Sequence, residues 1–117
     1  MKIISTADYR TMSRAAANII SAQVILKPRS ILGLATGSTP LGIYQQLIEW
    51  YRKGDVDFSE VCSFNLDEYC GLGPNDPQSY HYYMNANFFS QINIRKENIH
   101  VPDGKAADLA AECANYD

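Results

Sequence analysis

Ile31-Leu-Gly-Leu-Ala-Thr-Gly-Ser-Thr-Pro40 is the stretch that decides the fold. Ile31, Leu32, Leu34 and Ala35 make an apolar run of strand length, which leads into a loop of glycine and hydroxyl residues. Pro40 then marks a helix start, because proline at the first helical position gives up an N–H that has no intrahelical partner. Such a junction also suits an anion. The free N–H groups of a helix's first turn point outward and the macrodipole favours negative charge there. Thr36, Ser38 and Thr39 add hydroxyl donors, and Gly37 allows a sharp turn with close approach to a ligand. Against this, Ser and Thr before a helix often serve only as N-caps. The preceding strand tilts the balance, since α/β sheets bind ligands beyond the carboxyl ends of their strands. The loop is neither a Walker A sequence nor a three-glycine dinucleotide motif.

Working outward, residues 2–5 read as a short β segment or an arm. Ser5 and Thr6 open a predicted helix to about Leu26, with Met12, Ala16, Ile19 and Gln23 on one face and Ile20 and Val24 beside it. Pro28 ends it. After the 31–35 strand, a helix is expected from Pro40 to about Lys53, with Leu41, Tyr44, Leu47, Ile48 and Tyr51 at helical spacing and Gly54 as its stop. Residues 61–66 form the next strand, completing a βαβ unit. A Gly/Pro loop at 71–77 precedes a helix capped by Ser79 and reaching Ser90, whose stripe of Tyr80, Met84 and Phe88 suggests core packing. Residues 98–101 are a third strand, Pro102-Asp103-Gly104 a turn, and 106–116 a helix with Leu109, Cys113 and Tyr116 on one face.

The 117 residues amount to one domain or part of one, and 46% hydrophobic with 20% charged residues describes a globular chain. No apolar run or leader-like segment suggests a membrane or export, and three cysteines without a Cys-x-x-Cys pair fit reduced thiols in a cytoplasmic setting. Only His81 and His100 could serve as imidazole ligands, and neither stands at metal-site spacing from a cysteine, so no metal is expected. A net charge of −3 argues against nucleic acid. No Lys or Arg occurs in residues 30–51 or 54–94. A helix N-terminus contributes about 0.3–1 kcal/mol per exposed charge, too little to hold a phosphorylated metabolite alone. A cation must come from elsewhere. A last helix without a stop signal and a sheet of about three parallel strands with an open edge point to the N-terminal part of a longer domain.

Asp67 follows directly on the 61–66 strand, which in a parallel sheet sets its carboxylate at the same rim as the 36–39 loop. A partly desolvated carboxylate there could act as a general base. Capping of the next turn is the alternative. Of Asp67 and Glu68, only one is expected to face the crevice.

Leu34-Ala-Thr-Gly-Ser-Thr-Pro-Leu41, Phe64-Asn-Leu-Asp-Glu-Tyr69, Ser79-Tyr80 and Asn87-Phe-Phe89 together resemble the glucosamine-6-phosphate deaminase (isomerase) family over nearly the whole chain. The resemblance implies a modified Rossmann-like α/β fold, with a parallel sheet and flanking helices, as the N-terminal part of a single sugar-phosphate isomerase/deaminase domain. It implies conversion of glucosamine 6-phosphate to fructose 6-phosphate with release of ammonia and no cofactor. Thr36, Gly37, Ser38 and Thr39 would hold the phosphate, Asp67 would be the base moving a proton between C2 and C1, and Tyr80 would stand at the edge of the site. Members run to about twice this length, and their later half carries the ring-opening histidine and the phosphate-gripping Lys and Arg, so this chain is expected to be inactive alone. Monomers and hexamers both occur, so a homo-oligomer is open. Three alternatives remain: a 6-phosphogluconolactonase-like hydrolase, against which Asn65-Leu-Asp-Glu-Tyr69 speaks, a non-catalytic sugar-phosphate-binding module, and a purely structural truncated domain.

Overall fold

The computed structural model describes residues 3–117. Lys2 lies outside the described residues, and residues 3–5 form no strand. The chain runs α1 (Tyr9–Leu26), β1 (Ile31–Leu34), α2 (Leu41–Arg52), β2 (Cys62–Asn65), α3 (Tyr80–Asn87), β3 (Ile99–His100) and α4 (Leu109–Tyr116), with 3-10 turns at Phe89–Gln91 and Lys96–Asn98. The three strands form a parallel sheet in the order β1-β2-β3. Ile31 lies opposite Cys62, Leu34 opposite Asn65, and Phe64 opposite His100.

Strand alternation sorts the sheet into two unequal faces. Leu34, Ser63 and Asn65 point into the main core, where they meet α1, α2 and α3 through Val24, Leu47, Met84 and Phe88. The other face is more open. Ile31 is 71% exposed, and Phe64 stacks on His100 with Tyr116 of α4 edge-on to it. In the core the Tyr44 ring stacks on Phe88 at 4.8 Å, and Phe58 meets Phe88 edge-on at 5.6 Å. These aromatic contacts lock α2 beside α3 and so bring the start of α3 against the loop that follows β1.

Several boundaries differ from the sequence reading. Helix α1 starts at Tyr9 and not at Ser5 or Thr6, because the Asp8 carboxylate accepts the Thr11 N–H and caps it. Its buried face is Ser13, Ala17, Ser21 and Val24, one position round from the expected Met12–Ala16–Ile19 stripe. Small residues at those positions let α1 pack closely on α2, and Ile19 is left 53% exposed. Pro40 is the N-cap of α2, its carbonyl accepting the Tyr44 N–H, so the helix proper begins one residue later. Ser79 caps α3 as expected, accepting the Tyr82 N–H. Helix α4 starts at Leu109, behind the Asp108 cap. Of its expected apolar face only Tyr116 docks, its hydroxyl meeting the Asn65 and His100 carbonyls.

Candidate functional site

The carboxyl ends of β1 and β2 open on an outward-facing cleft of about 360 Å³, lined by Thr36, Gly37, Tyr69, Ser79, Tyr80 and Tyr83 together with Pro77 and Gln78. Thr36 and Gly37 come from the loop after β1, Tyr69 from the loop after β2, and the rest from the start of α3. Gly37 has φ +105°, a left-handed conformation that side chains other than glycine's strain to adopt. Ser38 and Thr39 are exposed on the same loop and do not line this cleft. No lysine or arginine lines it either.

Tyr80 joins the two rims. Its ring lies 4.8 Å from that of Tyr69, and both share the cleft with Thr36. The Tyr69 hydrogen bond chiefly, with burial and the nearby Asp67 charge, raises the phenol's pKa, and Thr36 pulls the other way. Tyr80 is thus a cleft residue, while Met84 and Phe88 of its stripe are core. Asp67 itself is exposed, so the described residues do not give it the desolvation expected of a base in a crevice.

The capping carboxylate is Glu68 and not Asp67, and what it caps is α3. Its side chain is only 1% exposed and turns into the first turn of α3. The carboxylate accepts the Tyr69, Tyr80 and His81 N–H groups at 2.8, 2.8 and 2.9 Å, and meets His81 Nδ1 at 2.8 Å. Burial pushes its pKa up, yet these donors outweigh burial and hold it below the ordinary 4.5. His81 is therefore a partner of Glu68. Asn65, 2% exposed, ties the two strand ends together by donating to the Leu34 carbonyl at 3.0 Å.

The loop that carries Tyr69 is braced from below. The Gly71 N–H donates to the Gly104 carbonyl at 2.6 Å, and a Cβ on Gly104 would stand 2.0 Å from the Tyr69 carbonyl oxygen. Gly104 therefore allows a close backbone approach in the turn that follows β3. Gly104→Ala is expected to cost about 1–3 kcal/mol in urea unfolding and to alter the near-UV dichroism of the Tyr69–Tyr80 pair. A variant matching the parent in both would show that the loop gives way freely.

Glu68, Tyr69 and Tyr83 escape sequence reasoning. Glu68 meets its α3 partners 12 and 13 residues away, with no local pattern to announce them. Tyr83 stands one helical turn after Tyr80, and that spacing is the one cue available for it.

The family model describing glucosamine-6-phosphate isomerases and 6-phosphogluconolactonase matches residues 6–117. The glucosamine-6-phosphate deaminase of Lachnoclostridium phytofermentans is 65% identical over all 117 residues, which cover 50% of that protein. That of Halothermothrix orenii is 56% identical, with 48% of it covered. A solved monomeric glucosamine-6-phosphate deaminase superposes with a TM-score of 0.96 at 43% identity, over 99% of this chain and 48% of that one. A 6-phosphogluconolactonase from Thermotoga maritima shares the fold, with a TM-score of 0.75 at 19% identity, over 98% of this chain and 50% of its own. The chain spans about half the length of the curated relatives it matches. From its Gly/hydroxyl loop to its last helix, it belongs to the glucosamine-6-phosphate isomerase/6-phosphogluconolactonase family.

Proposed function

We propose that this chain supplies the phosphate loop and the proton-transfer base of a glucosamine-6-phosphate deaminase. The observation that carries this reading is the cleft that Thr36 and Gly37 of the loop share with Tyr69 and Tyr80. Asp67 lies two residues past β2, at the same end of the parallel sheet as the loop, which supports giving it the base role. The 36–39 loop holds the sugar phosphate with backbone N–H groups and hydroxyls. The Asp67 carboxylate takes the C2 proton of the open-chain amino sugar, whose C1 carbonyl makes that proton acidic, and returns it to C1. C2 is left as an imine, to which water adds and from which ammonia leaves. The cation that balances the phosphate comes from outside the cleft described here, so the 117 residues alone release no ammonia.

A chimera tests this. This chain takes the place of the matching half of the Lachnoclostridium phytofermentans deaminase, and ammonia is measured with glucosamine 6-phosphate. Release by the chimera and none by the 117-residue chain is expected. A folded chimera that hydrolyses 6-phosphogluconolactone and leaves glucosamine 6-phosphate untouched would transfer the assignment to the lactonase reaction.

A further inference from the structure

The loop that opens the cleft is gripped by three phenols, one from the helix before it in sequence and two from helices after it. Tyr44 of α2, 2% exposed, accepts the Ala35 N–H at 3.1 Å and donates to the Ala35 carbonyl. Tyr83 of α3 donates to the Gly37 carbonyl. Tyr9 of α1 donates to the Ser38 carbonyl at 2.8 Å and accepts the Gly42 N–H at 2.8 Å. Burial pushes the Tyr44 phenol up to about 12, and burial also raises that of Tyr83, so both keep the proton they donate.

Peptide geometry turns this into a statement about the opposite side of the loop. In a planar trans peptide, the N–H of one residue points away from the carbonyl of the residue before it. Holding the Ala35, Gly37 and Ser38 carbonyls on phenols therefore sends the N–H groups of Thr36, Ser38 and Thr39 the other way. Among the described residues none of these three N–H groups has a protein acceptor. Three donors are thus fixed without a ligand, in a loop that one glycine with φ +105° would otherwise leave free to rotate.

We infer that Tyr9, Tyr44 and Tyr83 are positioning residues that preorganise the 36–39 loop as an anion receptor by holding its carbonyls inward. The inference rests on the phosphate role given to that loop above. Preorganisation matters because an anion that must first order its own receptor binds more weakly by that ordering cost. Tyr83 also makes the receptor depend on α3, so the element that presents Tyr80 to the cleft sets the loop's shape as well.

Tyr83→Phe and Tyr9→Phe test this in the chimera described above, since each keeps the ring and deletes one hydroxyl. Backbone ¹⁵N order parameters of Gly37 and Ser38 are measured without ligand, and inorganic phosphate is then titrated. In the parent the loop should show values near about 0.85, falling below about 0.6 in the variants, with the rest of the chain unchanged. Phosphate affinity should fall roughly tenfold in each. General loss of stability would lower order parameters elsewhere as well, which separates positioning from mere structural support. Loop order unchanged in both variants overturns the inference whatever the affinities. A loop that loosens in the variants of a chimera that never binds phosphate supports the phenol grip and refutes the phosphate reading.

Discussion

Asp67→Asn in the chimera is expected to cut ammonia release by roughly 10²–10⁴-fold while leaving the protein as stable as its parent. The amide has the size and shape of the carboxylate but cannot carry the C2 proton. Its structural cost is small because Asp67 is exposed and the first turn of α3 is capped by Ser79 and Glu68. Exposed substitutions away from such contacts usually stay within about 0.5 kcal/mol. Loss of turnover at an unchanged melting temperature is therefore the signature of a base. KM should move little, since the phosphate loop is untouched. Retention of more than a tenth of the parent rate would take the base role from Asp67.

The frame of the molecule was legible where its signals were local. The apolar run at 31–35, the Gly/hydroxyl turn and the following helix read directly, because strand, turn and cap each depend on residues within a few positions. Ser79 as a cap and Gly54 as a stop read for the same reason. Helix α1 misled because an apolar stripe is not the only packing surface. Ser13, Ala17 and Ser21 allow α2 to come close, and close approach outweighs the larger but unpaired Met12 and Ile19. The cleft was legible only at its rims. Thr36 and Asp67 each lie two residues past a strand, and the paired ends Leu34 and Asn65 put both segments at one edge of the sheet, whereas Tyr80 entered through family resemblance. What joins the rims is long-range. The reach of Tyr9 to Ser38 spans 29 residues, that of Tyr83 to Gly37 spans 46, and neither leaves a trace in periodicity.

Glu68 is where a contact beyond any local pattern and the largest stability effect coincide. Glu68→Ala removes an acceptor from three backbone N–H groups at once, two of them on the first turn of α3. With a carboxylate only 1% exposed, water replaces it poorly, and a loss of about 3–5 kcal/mol is expected in urea unfolding. Against a typical total of about 5–15 kcal/mol that is a large share. Glu68→Gln keeps one acceptor oxygen and should lose less, which separates the charge from the cap. The charge has its own pH signature. Donors hold the native carboxylate below 4.5, so between 4.5 and the native value the unfolded chain binds the proton more tightly than the folded one. The stabilisation from Glu68 is therefore complete above 4.5 and disappears as pH falls through that value towards the native pKa. Asp8 and Asp57 are also held low, by donors on Thr11 and by Asn93 with Ser59, and their losses overlap in any single acid titration. The parent-minus-Gln difference cancels them. That difference should be flat in the mildly acidic range above 4.5 and shrink below it. A difference that stays level down to full protonation would mean that Glu68 acts by shape alone, and that the cap which sets Tyr80 beside Thr36 needs no charge.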